Sequence, residues 1–288
     1  MNTRLLQSTI KFASLPVELR LLMLSSSRFN VLGTAVTAVD YAGAVAAVLA
    51  AAREPRAFAA SALAVHALRE AQLDPLYRRR LNSLDLAAPD GQPVRWALNW
   101  LHHAGLADRV YGPFLLRDLC AAAAREALPV FFFGGTAATL DRLSAALRAR
   151  HPGLVIAGVQ PSRFRRITAD EAAADARAIA ASGARLVFCG LGCPRQENWV
   201  HAMRPLLPVP LVAVGAAFAL CADERAMAPA WMQRTGLEWL FRLGQEPRRL
   251  AGRYLIHNPL FLLGLLRQKI GGDFPLLPGA DVPPEYWG

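Results

Sequence analysis

The sequence predicts an α/β protein built on a doubly wound, mainly parallel sheet, with a helical appendage towards the C-terminus. Segments typical of strands and of helices alternate from Val31 onward. Three of the strand-like segments, at 130–133, 186–189 and 211–214, are continuous apolar runs followed by glycine. Strands that are buried on both faces have this pattern, so the sheet is predicted to be parallel with helices on both sides.

The remaining predicted elements are less regular. Apolar periodicity predicts four helices, which lie at 42–53, from His66 onward, at 139–150 and at 169–182. Two short strands are predicted at 57–60 and 84–88. The second of them runs into Pro89, Asp90 and Gly91, a sequence typical of a turn.

Composition divides the 288 residues into four parts. These are a weakly ordered or amphipathic lead-in at 1–30, an α/β core at 31–230, an amphipathic arginine-rich appendage at 231–274 and a loose proline-rich tail at 275–288. No stretch of about 18 apolar residues is free of charge and proline, so no transmembrane helix is predicted. The N-terminal segment lacks the continuous apolar run and cleavage site of a signal peptide, so none is expected.

The charge of the chain restricts the kind of partner it can bind. Lysine and arginine number 32 against 22 acidic residues, which gives a net charge of +10 and a pI near 10.3. An anionic partner is therefore expected, either nucleic acid, a phosphorylated substrate or an acidic membrane. No recognised nucleic-acid-binding motif accompanies the charge, which disfavours the first of these. The four cysteines lack zinc-site spacing, so reduced thiols in the cytoplasm are expected.

The segment 236–254, GLEWLFRLGQEPRRLAGRY, combines apolar residues with arginines. On a helix, Leu237, Leu240 and Phe241 form one apolar stripe, and Pro247 is expected to divide the segment into two short helices. Arginines suit bidentate phosphate binding, and those of this segment are Arg242, Arg248, Arg249 and Arg253.

A second apolar run, 260–266, follows and is closed by Arg267 and Lys269. A soluble protein could bury the apolar residues and leave the arginines solvated. An apolar surface with a basic rim is, however, the pattern expected at an anionic membrane surface, and we favour that interpretation. Removal of the chain from about Trp231 onward is then expected to leave a folded core.

Unusual residues gather where the predicted strands end, and open parallel sheets bind ligands beyond those ends. Gly134 and Gly135 would let the backbone approach a ligand at a helix start, although glycine after a strand is common. The segment 190–197, GLGCPRQE, is more specific, because it places Gln196 and Glu197 in the first turn of a helix. Glu197 could instead only complement the helix dipole.

Asp90 and Arg109 are two further candidates for chemistry. An aspartate at a strand end can act as a general base, but the same sequence can equally be only a turn. Arg109 follows a predicted helix and could bind a phosphate or lie on the surface. The sequence has neither a DxD motif nor a GxGxxG motif, so neither a metal-bound nucleotide sugar nor a dinucleotide is indicated.

Five sequence blocks, in this order, resemble the WecG/TagA/CpsF family of bacterial glycosyltransferases. The blocks are PDG at 89–91, FFFGG at 131–135, GLGCPRQENW at 190–199, VGAAF at 214–218 and APAWMQRTGLEWLFRLGQEPRR at 228–249. The resemblance extends from about Val31 to Tyr254. It implies a Rossmann-like core and a C-terminal appendage that meets the membrane and helps to close the site.

The resemblance also implies an activity. Such enzymes transfer a sugar, here glucose, N-acetylmannosamine or its uronic acid, from a UDP-sugar to a polyprenyl-diphosphate-linked saccharide. Transfer is expected to be inverting, to need no metal or cofactor, and to serve cell-surface polysaccharide synthesis. The protein is expected to be peripherally attached to the cytoplasmic face of the bacterial inner membrane. The resemblance also allows for a homo-oligomer.

Site residues carry over from the family's motifs one by one. Asp90 matches the proposed catalytic base, Gln196 the glutamine of a PxQE block, and Arg109 an arginine near the sugar and diphosphate. Ser61 stands where the family usually has threonine. Substrate-binding residues are expected at Ser61, Gly134, Gly135, Gly192, Arg195, Glu197, Gly215, Arg242, Arg248, Arg249 and Arg253.

Three positions depart from the family pattern. Leu63 falls where asparagine is typical, Ala219 where aspartate is typical, and Arg163 replaces an aromatic residue. The losses at Leu63 and Ala219 favour a rival hypothesis, a non-catalytic membrane-surface binding protein on a degenerate transferase fold, whereas Asp90 and Gln196 oppose it. An NAD-type oxidoreductase is disfavoured by the missing GxGxxG motif and its ribose-binding acid.

Overall fold

The computed structural model describes residues 27–279 and 281–288, without the side chains of Arg249 and Arg253. Its centre is a six-stranded sheet in which every pairing is parallel, with the order β4-β3-β8-β7-β5-β6. The strands of the described chain are β1 (Arg28–Val31), β2 (Thr34–Thr37), β3 (Phe58–Leu63), β4 (Leu86–Pro89), β5 (Val130–Phe133), β6 (Ile156–Gln160), β7 (Leu186–Cys189) and β8 (Pro210–Ala213). The predicted parallel sheet is confirmed.

Three of the described strands lie outside the predicted set. β6 is an edge strand that pairs only with β5, and it carries Gly158 and an exposed Val159, so it lacks a continuous apolar pattern. β1 and β2 form a separate antiparallel hairpin. The predicted lead-in at 1–30 therefore ends in a strand, and residues 1–26 lie outside the described part of the chain.

Helices cover both faces of the sheet. One face is covered by α1 (Tyr41–Arg53), α5 (Gly112–Arg125) and α6 (Ala137–Arg150), and the other by α2 (Val65–Leu73), α3 (Pro75–Asn82), α4 (Gln92–His102), α7 (Ala169–Ala181) and α8 (Arg195–Met203). Successive residues of β5 alternate between the two apolar cores, since Phe132 packs in one and Phe131 and Phe133 in the other. The fold is therefore doubly wound, and the four predicted helices are confirmed.

After the short helix α9 (Ala217–Cys221), five helical segments follow. They are α10 (Ala230–Thr235), α11 (Glu238–Gln245), α12 (Pro247–Gly252), a π-helical turn (Arg253–His257) and α13 (Asn258–Lys269). The predicted break at Glu246 and Pro247 is confirmed. The stripe on α11 is not the buried face, however, because Leu240 is exposed while Glu238 is buried.

α13 packs into the main core. Phe261 and Leu265 are buried in the same apolar cluster as α2 and α4. Gln268 accepts the Leu32 N–H at 2.9 Å and donates to the Asn30 carbonyl at 3.0 Å. Removing the chain from Trp231 onward would therefore expose part of this core, which argues against the expectation that the rest folds unchanged.

The tail after Pro275 is also more ordered than its sequence predicts. Val282 is buried, and Glu285 forms an ion pair with the buried Arg80 at 2.9 Å. Trp287 forms an isolated antiparallel bridge with Arg166. The sequence predicts a loose tail at 275–288, whereas residues 281–288 contact the core through single polar and aromatic side chains that composition does not reveal.

Among the helices of residues 27–279 and 281–288, none is both long enough and apolar enough to cross a membrane. A group of exposed apolar side chains nevertheless lies along the last two helical segments and the residue that follows them. Its members, which we call the leucine patch, are Leu255, Ile256, Leu262, Leu263, Leu266 and Ile270.

Candidate active site

Loops at the carboxyl ends of the parallel strands form a cleft of about 650 Å³. Its lining includes Ala64 after β3, Asp90 after β4, Gly135 after β5, Gly192 after β7 and Gly215 after β8. This is the place where an open parallel sheet is expected to bind a ligand. The cleft thus draws on five strands that are far apart in sequence.

A smaller cavity of about 120 Å³ adjoins the cleft, between the core and the appendage. Gln92 and Arg109 line it from the core, and Trp239, Tyr254 and Asn258 from the appendage. Four polar residues line both cavities, namely His66, Asp90, Tyr111 and Arg242. A group bound in one cavity would therefore meet a group bound in the other at these side chains.

Asp90 is placed by the end of β4. Its N–H donates to the Leu63 carbonyl at 3.0 Å. The next residue, Gly91, has a φ of +81°, a backbone conformation that residues other than glycine rarely adopt. Burial raises the pKa of the Asp90 carboxyl group to about 6; Arg109 and Arg242 oppose this rise and Glu238 adds to it. A carboxylate with a pKa near the working pH is suited to general base catalysis.

The pKa of Asp90 leads to a pH prediction. A general base works in its ionised form, so kcat/KM is expected to level off above pH 6 and to fall about tenfold per pH unit below it. A rate profile from pH 4.5 to 8.5 at subsaturating substrate measures this. A flat profile between pH 5 and 7 would contradict the assignment of Asp90 as the base.

A charged group lies beside Asp90. Glu238 forms ion pairs with Arg109 and, at 3.1 Å, with Arg242. Arg109 is 7% exposed and Glu238 6%, so the pair is largely withdrawn from water. Because both arginines are fixed by one carboxylate, their guanidinium groups have defined positions next to the cavities.

Tyr111 completes this group. The Arg109 guanidinium carbon lies 4.3 Å from the centre of the Tyr111 ring, and Arg242 donates to the Tyr111 hydroxyl at 3.2 Å. Burial raises the pKa of Tyr111, so its hydroxyl stays protonated at neutral pH. Tyr111, Glu238 and His66 are site residues that the sequence analysis missed. Tyr111 and His66 lie outside the five sequence blocks, and Glu238 lies in the block at 228–249, where the sequence drew attention to the arginines and apolar residues.

Gln196 and Glu197 form a buried polar cluster on the opposite wall. Glu197 accepts hydrogen bonds from Ser61 at 3.0 Å, from Tyr77 at 3.0 Å and from the Gln196 amide at 2.7 Å. Burial raises the pKa of Glu197, and these three donors oppose the rise. Because the Gln196 amide donates to Glu197, its orientation is fixed.

The Gln196 carbonyl oxygen lies next to the backbone that lines the cleft. Gln196 is 3% exposed, and within the described residues its Oε1 has no hydrogen-bond partner. It lies 3.5 Å from the position that a Cβ would take on Gly215, which lines the cleft. A buried, unpaired acceptor is costly, so the site suits a ligand that donates a hydrogen bond there.

The structure separates the other predicted site residues into two groups. Gly135, Gly192, Arg195, Glu197 and Gly215 line the cleft. Three others line neither cavity: Ser61 donates to Glu197, Gly134 packs against the Gly190–Leu191 backbone, and Arg248 is exposed. The side chains of the remaining two, Arg249 and Arg253, lie outside the described part of the structure.

The described residues include a set of three potential metal ligands near the cavities, His66, Glu70 and His257. One ligand atom from each lies within 4.8 Å of the others. The His66 Nδ1 atom already lies 3.5 Å from a Glu70 carboxylate oxygen along α2. The positive charge that faces Asp90 comes instead from Arg109 and Arg242.

A parallel sheet with a polar cleft at the carboxyl ends of its strands, and a carboxylate set among arginines, defines an α/β enzyme that acts on an anionic substrate. Residues 29–274 match the model of the family described as "Glycosyl transferase WecG/TagA/CpsF family", and the chain belongs to this family. It is therefore a glycosyltransferase. A similar protein of Bacillus spizizenii, named N-acetylglucosaminyldiphosphoundecaprenol N-acetyl-beta-D-mannosaminyltransferase, is 30% identical over 222 residues, which cover 76% of this chain and 79% of that protein.

Proposed function

We propose that the chain transfers a sugar from a UDP-sugar to a polyprenyl-diphosphate-linked saccharide by a single inverting displacement without a metal ion. The observation that carries the proposal is the position of Asp90, where the two cavities meet beside Arg109 and Arg242. A nucleotide sugar in the larger cavity and an acceptor hydroxyl in the smaller one would meet at this carboxylate. The name of the Bacillus relative favours N-acetylmannosamine among the expected sugars.

Asp90 is the proposed base. The acceptor oxygen attacks the anomeric carbon while its proton moves to the Asp90 carboxylate. The bond between the anomeric carbon and the β-phosphate oxygen breaks, and its electron pair leaves with UDP. Attack from the side opposite the leaving group inverts the configuration of the anomeric carbon.

The charges around Asp90 suit this step. Arg109 and Arg242 balance Glu238 and an ionised Asp90 before reaction. When Asp90 takes up the acceptor proton it becomes neutral, so the two guanidinium groups are then opposed by Glu238 alone. This excess positive charge develops at the same time as negative charge builds up on the leaving diphosphate. The attraction between the two stabilises the transition state more than the ground state.

Divalent metal ions are expected to have no effect on the rate, because arginines supply the charge that a metal would otherwise supply. The initial rate should be the same in EDTA and after addition of Mg²⁺ or Mn²⁺. Zn²⁺, tested separately, controls for binding at His66, Glu70 and His257. Loss of transfer in EDTA that Mg²⁺ or Mn²⁺ restores would contradict the proposed way of neutralising the diphosphate.

The leucine patch is the proposed membrane-contacting surface. It is apolar and exposed, and Arg267 and Lys269 lie on the same helix. A peripheral attachment to an anionic leaflet through such a surface would bring the cavities close to a lipid-linked acceptor. We place the enzyme on the cytoplasmic face of the inner membrane, in cell-surface polysaccharide synthesis.

A donor panel tests the proposed function directly. The full chain is incubated with UDP-glucose, UDP-N-acetylmannosamine or its uronic acid, and with a short-chain lipid diphosphate N-acetylglucosamine. The expected result is release of UDP together with an extended lipid-linked product for one donor. If the UDP-sugars bind but none of them is cleaved to UDP, the rival hypothesis of a non-catalytic binding protein is favoured. Of the positions that depart from the family pattern, Ala219 lines the cleft, whereas Leu63 is buried in the core.

A further inference from the structure

The tail at 281–288 packs against the loop that forms one side of the cleft. Gly288 donates its N–H to the Arg165 carbonyl at 3.1 Å, and its own carbonyl accepts the Ser162 hydroxyl at 2.8 Å. The loop held in this way carries Phe164, which lines the cleft. The tail therefore fixes a wall of the site that the sheet alone does not build.

Trp287, in this tail, lies close to two guanidinium groups. Its ring centre is 5.3 Å from the guanidinium carbon of Arg195 and 5.5 Å from that of Arg166. Both distances lie within the range of about 6 Å at which a cation is attracted to an aromatic face. Arg195 is the first residue of α8 and lines the cleft.

The cations of the site differ in how they are neutralised. Arg109 and Arg242 share Glu238, and Arg225, which also lines the cleft, pairs with Glu246. Within the described residues no carboxylate forms an ion pair with Arg195, and Trp287 is its aromatic neighbour. Its charge is therefore left for an anionic ligand.

Trp287 is itself held firmly. Its indole N–H donates to Glu285 at 3.0 Å, and Glu285 also pairs with Arg166 at 2.7 Å and with Arg80 at 2.9 Å. The buried Arg80 donates to Asn198 at 3.2 Å, on helix α8. The tail is thus tied to the same helix whose first residue faces the cleft.

We infer that Trp287 is a positioning residue that holds Arg195 over the cleft, where the Arg195 guanidinium binds the diphosphate of the nucleotide donor. The inference rests on the proposed function for the identity of that donor. An exposed arginine loses rotamer freedom when it binds a ligand, and stacking on Trp287 removes part of that freedom beforehand. The N-terminus of α8 and the neighbouring glycine backbone suit an anion in the same place.

Binding of UDP to the full chain tests the inference. The dissociation constant is measured by calorimetry for the wild type, Trp287→Leu, Trp287→Phe, Arg195→Ala and the double variant Arg195→Ala/Trp287→Leu. Trp287→Leu is expected to weaken UDP binding roughly two- to fivefold. Trp287→Phe should restore most of the affinity, because it keeps an aromatic face although it loses the hydrogen bond to Glu285.

The double variant separates positioning from general packing. If Trp287 acts through Arg195, Trp287→Leu causes no further loss once Arg195 is alanine. The inference would be overturned if Trp287→Leu weakened UDP binding equally in the wild type and in Arg195→Ala, or weakened it in neither. In that case UDP binding by the wild type would still support the proposed donor. Failure of the wild type to bind UDP would overturn the proposed donor itself and this inference with it.

Discussion

Replacing Asp90 by asparagine is expected to lower the rate of sugar transfer by about 10²–10⁴-fold, the usual contribution of a general base, while UDP binding persists. The amide has nearly the shape of the carboxylate but cannot accept the acceptor proton. Because Arg109 and Arg242 keep Glu238 as their counter-charge, the diphosphate site should survive the change. Initial rates and the dissociation constant of UDP, measured on the same preparation, separate the two effects.

Asp118→Asn is a matched control for this variant. Asp118 lies on α5, is exposed and lines neither cavity, so its removal should leave both the rate and UDP binding unchanged. The pH profile offers a second control, because the fall in kcat/KM below pH 6 should be absent from any residual activity of Asp90→Asn. Activity of Asp90→Asn within a few-fold of the wild type would rule out Asp90 as the base.

Replacing Phe261 by alanine is expected to lower the free energy of unfolding by about 3–5 kcal/mol, the usual cost of truncating a buried phenylalanine. Phe261 is fully buried in the main core although it belongs to the predicted appendage. A loss of this size is a large part of the stability of an ordinary domain. Urea unfolding followed by intrinsic fluorescence measures it.

Leu263→Ala is the matched variant on the same helix. Leu263 is 62% exposed, so its replacement should change the free energy of unfolding of the protein by less than about 0.5 kcal/mol. Similar destabilisation by the two variants would contradict the packing of α13. Should Phe261→Ala prove too unstable to purify, Phe261→Leu is expected to show a smaller loss of the same sign.

The exposed leucines allow membrane binding to be tested apart from stability. Leu262→Ser together with Leu263→Ser is expected to reduce sedimentation with anionic vesicles and to leave unfolding nearly unchanged. High salt should also release part of the wild type, since basic residues near an anionic surface contribute about 1 kcal/mol each. Unaltered sedimentation of the double variant would contradict the leucine patch as the membrane-contacting surface.

The sequence by itself determined the architecture of the core. Continuous apolar runs followed by glycine are a local property of buried parallel strands, so the strands at 130–133 and 186–189 could be predicted without knowledge of their neighbours. The break at Pro247 is equally local, because proline cannot continue a helix. Asp90 could be placed at a strand end for the same reason, and the sequence blocks predicted the family that the comparison confirms.

The tertiary structure alone decided which side chains meet. Glu238 lies on a helix for which the sequence predicts only an apolar stripe, yet it is buried, because Arg109 and Arg242 neutralise it. Ser61 reaches Glu197 rather than the cleft, and the tail packs on the core through Glu285 and Trp287. The apolar periodicity of a helix or strand indicates only which of its faces is buried. The partner of a buried charge depends instead on segments that are distant in sequence and brought together by packing.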